Sequence, residues 1–187
     1  MKRSFLRSPY LWAIAAVASV VGAAWIGRAN YQPVITGSTA PPFTVFDMDG
    51  GEVRLSDFLG EEVLLVNVWA TWCGPCLTEM PSMQRLYEQL EGESFEILAV
   101  SIDAPAGQFD LFGRAGGDLE AFAEQLELTF PILHNPSGDI QQIYQTTGVP
   151  ESFVIGRDGV IYKKVAGDTE WDAPENVELI RRLLSTD

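Results

Sequence analysis

Histidine and cysteine are nearly absent: 187 residues hold one His, His134, and two Cys, Cys73 and Cys76. That scarcity argues against a metal centre, because a structural zinc ion normally takes four Cys or His ligands. His134 stands in the turn-like stretch Leu133-His134-Asn135-Pro136 and reads as a loop residue. Positive charge is scarce too, with 12 Lys and Arg against 26 Asp and Glu and a formal net charge of −14. Four of the basic residues, Lys2, Arg3, Arg7 and Arg28, fall in residues 1–29, which hold no acid, so residues 30–187 carry a formal −18. A surface of that sign argues against nucleic acid or anionic lipid as a partner; solubility is its simplest use, and steering of basic partners is the alternative. Internal repeats and low-complexity segments are also missing.

What is present begins with an uncharged run from Ser8 to Gly27, rich in Ala, Val and Ile, with Tyr10, Trp12 and Trp25 near its ends. It has the length of a membrane-spanning helix, and aromatics at both ends suit the two interfaces. The basic residues on its N-terminal side predict a cytoplasmic N-terminus and export of the rest of the chain. A cleaved signal peptide, with Gly22-Ala23-Ala24 as the small-residue site, is the alternative. The expected organisation is an anchor over 1–29, a polar linker with Pro33, Gly37, Pro41 and Pro42 over 30–42, and a folded domain over 43–187.

Both cysteines sit in Trp72-Cys73-Gly74-Pro75-Cys76, directly after the apolar run Val63-Leu64-Leu65-Val66-Asn67-Val68-Trp69. The run predicts a buried strand, and a helix beginning near Cys76 puts Cys73 at its first turn. There, free N–H groups and the positive end of the dipole favour a thiolate. A purely structural disulfide over so short a loop would remove little chain entropy. Thiol–disulfide exchange is the chemistry this spacing suits.

The remaining pattern alternates strands and helices. Phe43–Phe46 and Glu52–Leu55 flank a turn-rich insert and predict a hairpin; Ser56 caps a short helical turn stopped by Gly60. Met80, Met83, Leu86, Tyr87 and Leu90 predict an amphipathic helix, broken or kinked near Pro81. Phe95–Ile102 reads as a second buried strand, residues 103–117 as a surface loop near the active end of the sheet, and Asp118 as the cap of a further helix. Thr129–Leu133, a short helix over 139–144, a hairpin around Arg157-Asp158-Gly159 and a terminal helix from Pro174 complete an α/β domain with a mixed central sheet.

With those elements in place, the chain resembles the thioredoxin superfamily, and more closely its membrane-anchored TlpA/ResA/DsbE-like branch. The resemblance spans roughly Pro42 to Leu184. It is carried by the stretch from Asn67 to Cys76, by Glu79-Met80-Pro81, by Gly148 to Ile155, and by the Arg157-Asp158-Gly159 turn. It implies a thioredoxin-like fold and a redox disulfide Cys73–Cys76, with Cys73 as the more exposed attacking thiol and Cys76 as the resolving one. It further implies a cis bond before Pro150, with Val149 offering its backbone to an extended client, and Trp72, Gly74 and Pro75 at the client-facing rim. Glu79, one helical turn beyond Cys76, is implied as a proton carrier; a carboxylate against apolar walls has the raised pKa this needs. Thioredoxin itself has a buried aspartate where this chain has Asn67, which cannot exchange a proton, so the burden moves to Glu79.

The resemblance makes the expected function reduction of disulfides in exported proteins, apocytochrome c among them. The expected partners are those clients, the membrane, and an electron donor of the DsbD/CcdA type. No cofactor and no metal is expected. Two other readings stay open. A peroxiredoxin-like peroxide reductase needs a threonine three residues before its cysteine, where this chain has Ala70, with Thr71 one residue out of register. A Cu(I)-handling dithiol would need His134 as a further ligand.

Overall fold

The computed structural model describes residues 9–29 and 33–186, in two compact units, Met1–Pro33 and Val34–Asp187. The first contains α1 (Pro9–Ala29), in which Tyr10 and the side chains from Trp12 to Gly22 are exposed. Among the described residues no helix is long and apolar enough to cross a membrane. The span expected from Ser8 to Gly27 falls largely on α1, whose side chains beyond Gly22 lie outside the described residues. Lys2, Arg3 and Arg7 and residues 30–32 of the expected linker lie outside the described residues.

The second unit is built on a seven-stranded mixed sheet. Its strands are β1 (Thr44–Phe46), β2 (Glu52–Arg54), β3 (Val63–Trp69), β4 (Phe95–Ser101), β5 (Ile132–His134), β6 (Glu151–Ile155) and β7 (Ile161–Ala166), in the order β2-β1-β5-β4-β3-β6-β7. β4 runs parallel to both β3 and β5, whereas β6 and β7 are antiparallel additions and β1 joins β5 antiparallel. Every residue of β3 is buried, as a run apolar at all positions but Asn67 requires of a central strand covered on both faces. The helices are α2 (Gly74–Gln89), α3 (Leu119–Gln125), α4 (Asp139–Ile143) and α5 (Pro174–Leu184). α2 lies against β4 and α5 against β3. This is the thioredoxin-like fold expected from the sequence.

Several elements differ from the expectation in instructive ways. The helical turn before β3 is a 3-10 turn over Leu55–Asp57, with Arg54 rather than Ser56 at its cap position. α2 runs unbroken through Pro81, with Met80, Met83 and Leu86 buried on one side. His134 is not a loop residue: it ends β5, opposite Ser101 of β4. The second half of the expected linker belongs to the folded unit. Val34 and Ala40 are buried, Gly37 and Ala40 donate to the carbonyls of Ile161 and Gly159, and Thr39 bridges Val160.

Candidate active site

β3 ends at Trp69 and α2 begins at Gly74, so the connection delivers Cys73 to the N-cap of α2. The Cys76 N–H donates to Cys73 Sγ at 3.2 Å, and Pro75, with no N–H to leave unpaired, occupies the first turn. The helix starts two residues before the point expected from the sequence. The earlier start makes Cys73 the cap, so that the first-turn N–H of Cys76 meets the Cys73 sulfur itself. Cys73 and Cys76 are joined as a disulfide. Cys73 is 5 % exposed and Cys76 is fully covered, while Gly74 and Pro75 are exposed and Trp72 is half-buried. The only edge of this disulfide that solvent reaches is therefore on Cys73.

Glu79, one turn along α2 from Cys76, is 2 % exposed. Asn67 Nδ2, from β3, donates to its Oε1 at 2.8 Å, and Trp171 Nε1 donates to its Oε2 at 3.3 Å. Burial pushes the Glu79 carboxyl up to about 7, and a nearby Asp168 charge adds to the rise; hydrogen bonds from Asn67, Trp171 and the Thr169 backbone hold it from going further. Asn67 Nδ2 also donates to Ser152 Oγ at 2.8 Å, while its Oδ1 is buried with no hydrogen-bond partner. Asn67 therefore connects β3, α2 and β6 through one amide. Ser152 and Trp171 are absent from the residues singled out in the sequence. Ser152 was legible as the inward partner of Asn67 once β3 and β6 pair; nothing local marks Trp171, 92 residues from Glu79.

The Val149–Pro150 bond is cis, with Pro150 buried and Val149 partly exposed. The loop before β6 is held by Glu151, whose carboxylate accepts from the Thr147 N–H at 2.8 Å and pairs with Lys164 Nζ at 3.0 Å.

The remaining candidates fall elsewhere. The Thr71 hydroxyl donates to Asp103 at 2.6 Å and is committed to that carboxylate. His134 Nε2 donates to the Asp103 carbonyl at 2.9 Å. No group of three or more metal-ligating side chains occurs among the described residues.

A disulfide at a helix N-cap that follows a central strand, with a cis-proline leading into the strand paired with it, defines a thioredoxin-like thiol–disulfide exchange site. Comparison with known proteins narrows the class. Residues 36–164 match the AhpC/TSA family. The thiol-disulfide oxidoreductase ResA of Geobacillus thermodenitrificans is 37 % identical over 149 residues, 79 % of each chain. The ResA of Bacillus thuringiensis subsp. konkukian is 35 % identical over 150 residues, 76 % of this chain and 80 % of its own. Among solved structures, a chain from Chlorobium tepidum described as a candidate thiol:disulfide interchange protein DsbE superposes with a TM-score of 0.69 at 29 % identity, over 81 % of this chain and 99 % of its own. StoA from Bacillus subtilis shares the fold, with a TM-score of 0.57 at 20 % identity over 81 % of this chain and 98 % of its own. The chain belongs to the AhpC/TSA family and, within it, to the ResA-like thiol-disulfide oxidoreductases.

Proposed function

We propose that the protein reduces disulfides in exported proteins, with Cys73 as the attacking thiol, Cys76 as the resolving thiol and Glu79 as the proton carrier. The observation that carries the direction is the burial of Glu79 one turn from Cys76. Negative charge beside a dithiol disfavours its thiolate, and a pair that resists staying reduced gives its electrons away.

The cycle starts from the reduced pair. The Cys73 thiolate, favoured by the α2 N-terminus, attacks one sulfur of a client disulfide; a mixed disulfide forms and the other client sulfur leaves as a thiolate that takes a proton. Glu79 then accepts the Cys76 proton. The freed Cys76 thiolate attacks Cys73 Sγ, closing the Cys73–Cys76 disulfide and expelling the second client sulfur as a thiolate that takes up a proton, while Glu79 gives its proton back to solvent. Two electrons pass to the client, and a dithiol donor must return them. Asn67 steadies the ionised state of Glu79, since its amide N–H donates to the carboxylate.

Val149 would pair its backbone with an extended client segment, and Trp72, Gly74 and Pro75 would form the rim against which the client sulfur approaches. We place the folded unit, from about residue 34 onward, outside the cytoplasmic membrane with residues 1–29 as anchor. This rests on the uncharged run Ser8–Gly27 and the basic residues before it. In an oxidising compartment, recharging then requires a membrane electron donor of the DsbD/CcdA type, and apocytochrome c fits as a client. The test is Cys76→Ser, which should accumulate a mixed disulfide at Cys73 when the full chain is offered an oxidised peptide carrying a Cys-x-x-Cys-His sequence. An equal yield from Cys73→Ser would overturn the assigned roles.

A further inference from the structure

Between β4 and α3 the chain makes an ordered excursion, residues 103–117, that the dithiol chemistry does not use. Its base is clamped to the site. Asp103 is fully buried and accepts from Thr71 N at 2.8 Å, Thr71 Oγ1 at 2.6 Å and Gly117 N at 3.2 Å, two residues before Cys73 in the chain. A Cβ at Gly117 would lie 2.3 Å from Thr71 Oγ1, so only glycine allows this approach. Its body is paired: Ala106 bridges Gly116, Phe109 bridges Ala115, and Asp110 accepts from the N–H groups of Phe112 and Arg114 at 2.8 and 2.9 Å.

Its tip presents three large apolar side chains to solvent: Phe109 is 70 %, Leu111 100 % and Phe112 82 % exposed. An apolar cluster held in place by paired backbone, yet left uncovered, is the mark of an interaction site. The tip is continuous with the dithiol rim through Arg114. Its guanidinium carbon lies 3.7 Å from the centre of the Trp72 ring and 5.0 Å from that of Phe112, with Asp110 fixing its Nε at 2.5 Å. Trp72 immediately precedes Cys73.

We propose that Phe109, Leu111 and Phe112 dock client polypeptides that carry apolar side chains beside the disulfide to be reduced. The occupant is a polypeptide because the surface runs from the tip across Arg114 and Trp72 to the attacking sulfur. One ligand can cover both ends only if it carries a disulfide and apolar neighbours a few residues away. A formal −18 over residues 30–187 also disfavours an anionic membrane surface. The inference rests on the reductase reading and adds to it the class of client.

The test uses the full chain with three probes: hydroxyethyl disulfide and two peptides with the same internal disulfide, one flanked by Leu and Phe and the other by Ser and Gly. For the wild type, kcat/KM for the apolar peptide should exceed that for the polar one by about tenfold, as three partly buried apolar anchors imply. Joint replacement Phe109→Ser, Leu111→Ser and Phe112→Ser should bring the ratio to about one. Arg114→Ala, which keeps the tip side chains but frees them from Trp72, should lower it by roughly threefold. Melting curves verify that both variants are folded. A wild-type ratio of one, or a ratio that survives the triple replacement, overturns the docking surface alone. Failure of the wild type to reduce any of the three probes overturns the reductase reading and this inference with it. Tip-dependent binding to phosphatidylcholine vesicles, or tip-dependent dimers, without any peptide preference would give the surface to lipid or to a second copy and overturn the proposal.

Discussion

Two buried carboxylates, Glu79 on α2 and Asp103 just after β4, are built for opposite purposes. Asp103 is met by four donors: Thr71 N, Thr71 Oγ1, Ser101 Oγ and Gly117 N. Glu79 is met by two side-chain donors, one of them the long Trp171 contact, and by the Thr169 backbone. The first arrangement surrounds the carboxylate with donors and turns it into a clamp for Thr71 and the 103–117 excursion. The second leaves a desolvated acid whose proton is held loosely enough near neutral pH to be passed on. Burial alone does not mark a proton carrier; the count and quality of donors around the buried group separates the two uses.

The comparison breaks most visibly in stability. Asp103→Ala strands the Thr71 and Gly117 N–H groups and should cost about 4 kcal/mol, read from chemical denaturation. Glu79→Ala should cost less at pH 8, because it also removes a poorly solvated charge.

Next comes the pH dependence of folding. In the unfolded chain Glu79 titrates near its ordinary 4.5, in the folded chain near 7. Between those values the folded state holds a proton that the unfolded state has released, so stability falls as pH rises from about 4.5 to about 7. The loss attributable to Glu79 is on the order of 3 kcal/mol, fully present above pH 7 and absent below 4.5. Glu79→Gln should remove this component of the profile, and Asp103→Asn should leave it in place.

Rates give the third contrast. Glu79→Gln should slow disulfide exchange by about a hundredfold at pH 7, the usual scale of a lost proton carrier, while being more stable than wild type at pH 8. The smallest effects lie in the surroundings of Glu79. Ser152→Ala removes one acceptor of the Asn67 amide and should cost about 1 kcal/mol. Trp171→Phe removes a donor that favours the carboxylate, so the Glu79 midpoint should move upward in a pH titration.

How much of this was legible in the sequence follows from distance along the chain. The strand Val63–Trp69 announces itself, because a fully buried strand is a near-continuous apolar run, interrupted here by Asn67 alone. The Cys73–Cys76 spacing, the Asp118 cap and the hairpin around Gly159 are likewise local signals. The helix start was placed two residues late because the Cys73 sulfur acts as the cap, a role local propensity does not assign to cysteine. The break or kink expected near Pro81 weighs the cost of its missing N–H without the packing of Met80 and Met83, and α2 is not broken there. The Asn135-Pro136 that follows makes His134 look like a loop residue, although it ends β5 and pairs with Ser101 of β4. The Asp103–Thr71 clamp and the Trp171–Glu79 contact are not legible in the sequence, since the partners lie 32 and 92 residues apart. The resemblance supplied the cis bond at Pro150; residue spacing did not.

The distinction between clamp and carrier is open to direct observation at one atom. The side-chain carboxyl carbon of Glu79, labelled with 13C and followed by NMR through a pH titration of the oxidised full chain, should move with a midpoint near 7. A midpoint near 4.5 would show that the buried acid is ionised throughout the working range, and Glu79 could not then carry the proton from Cys76.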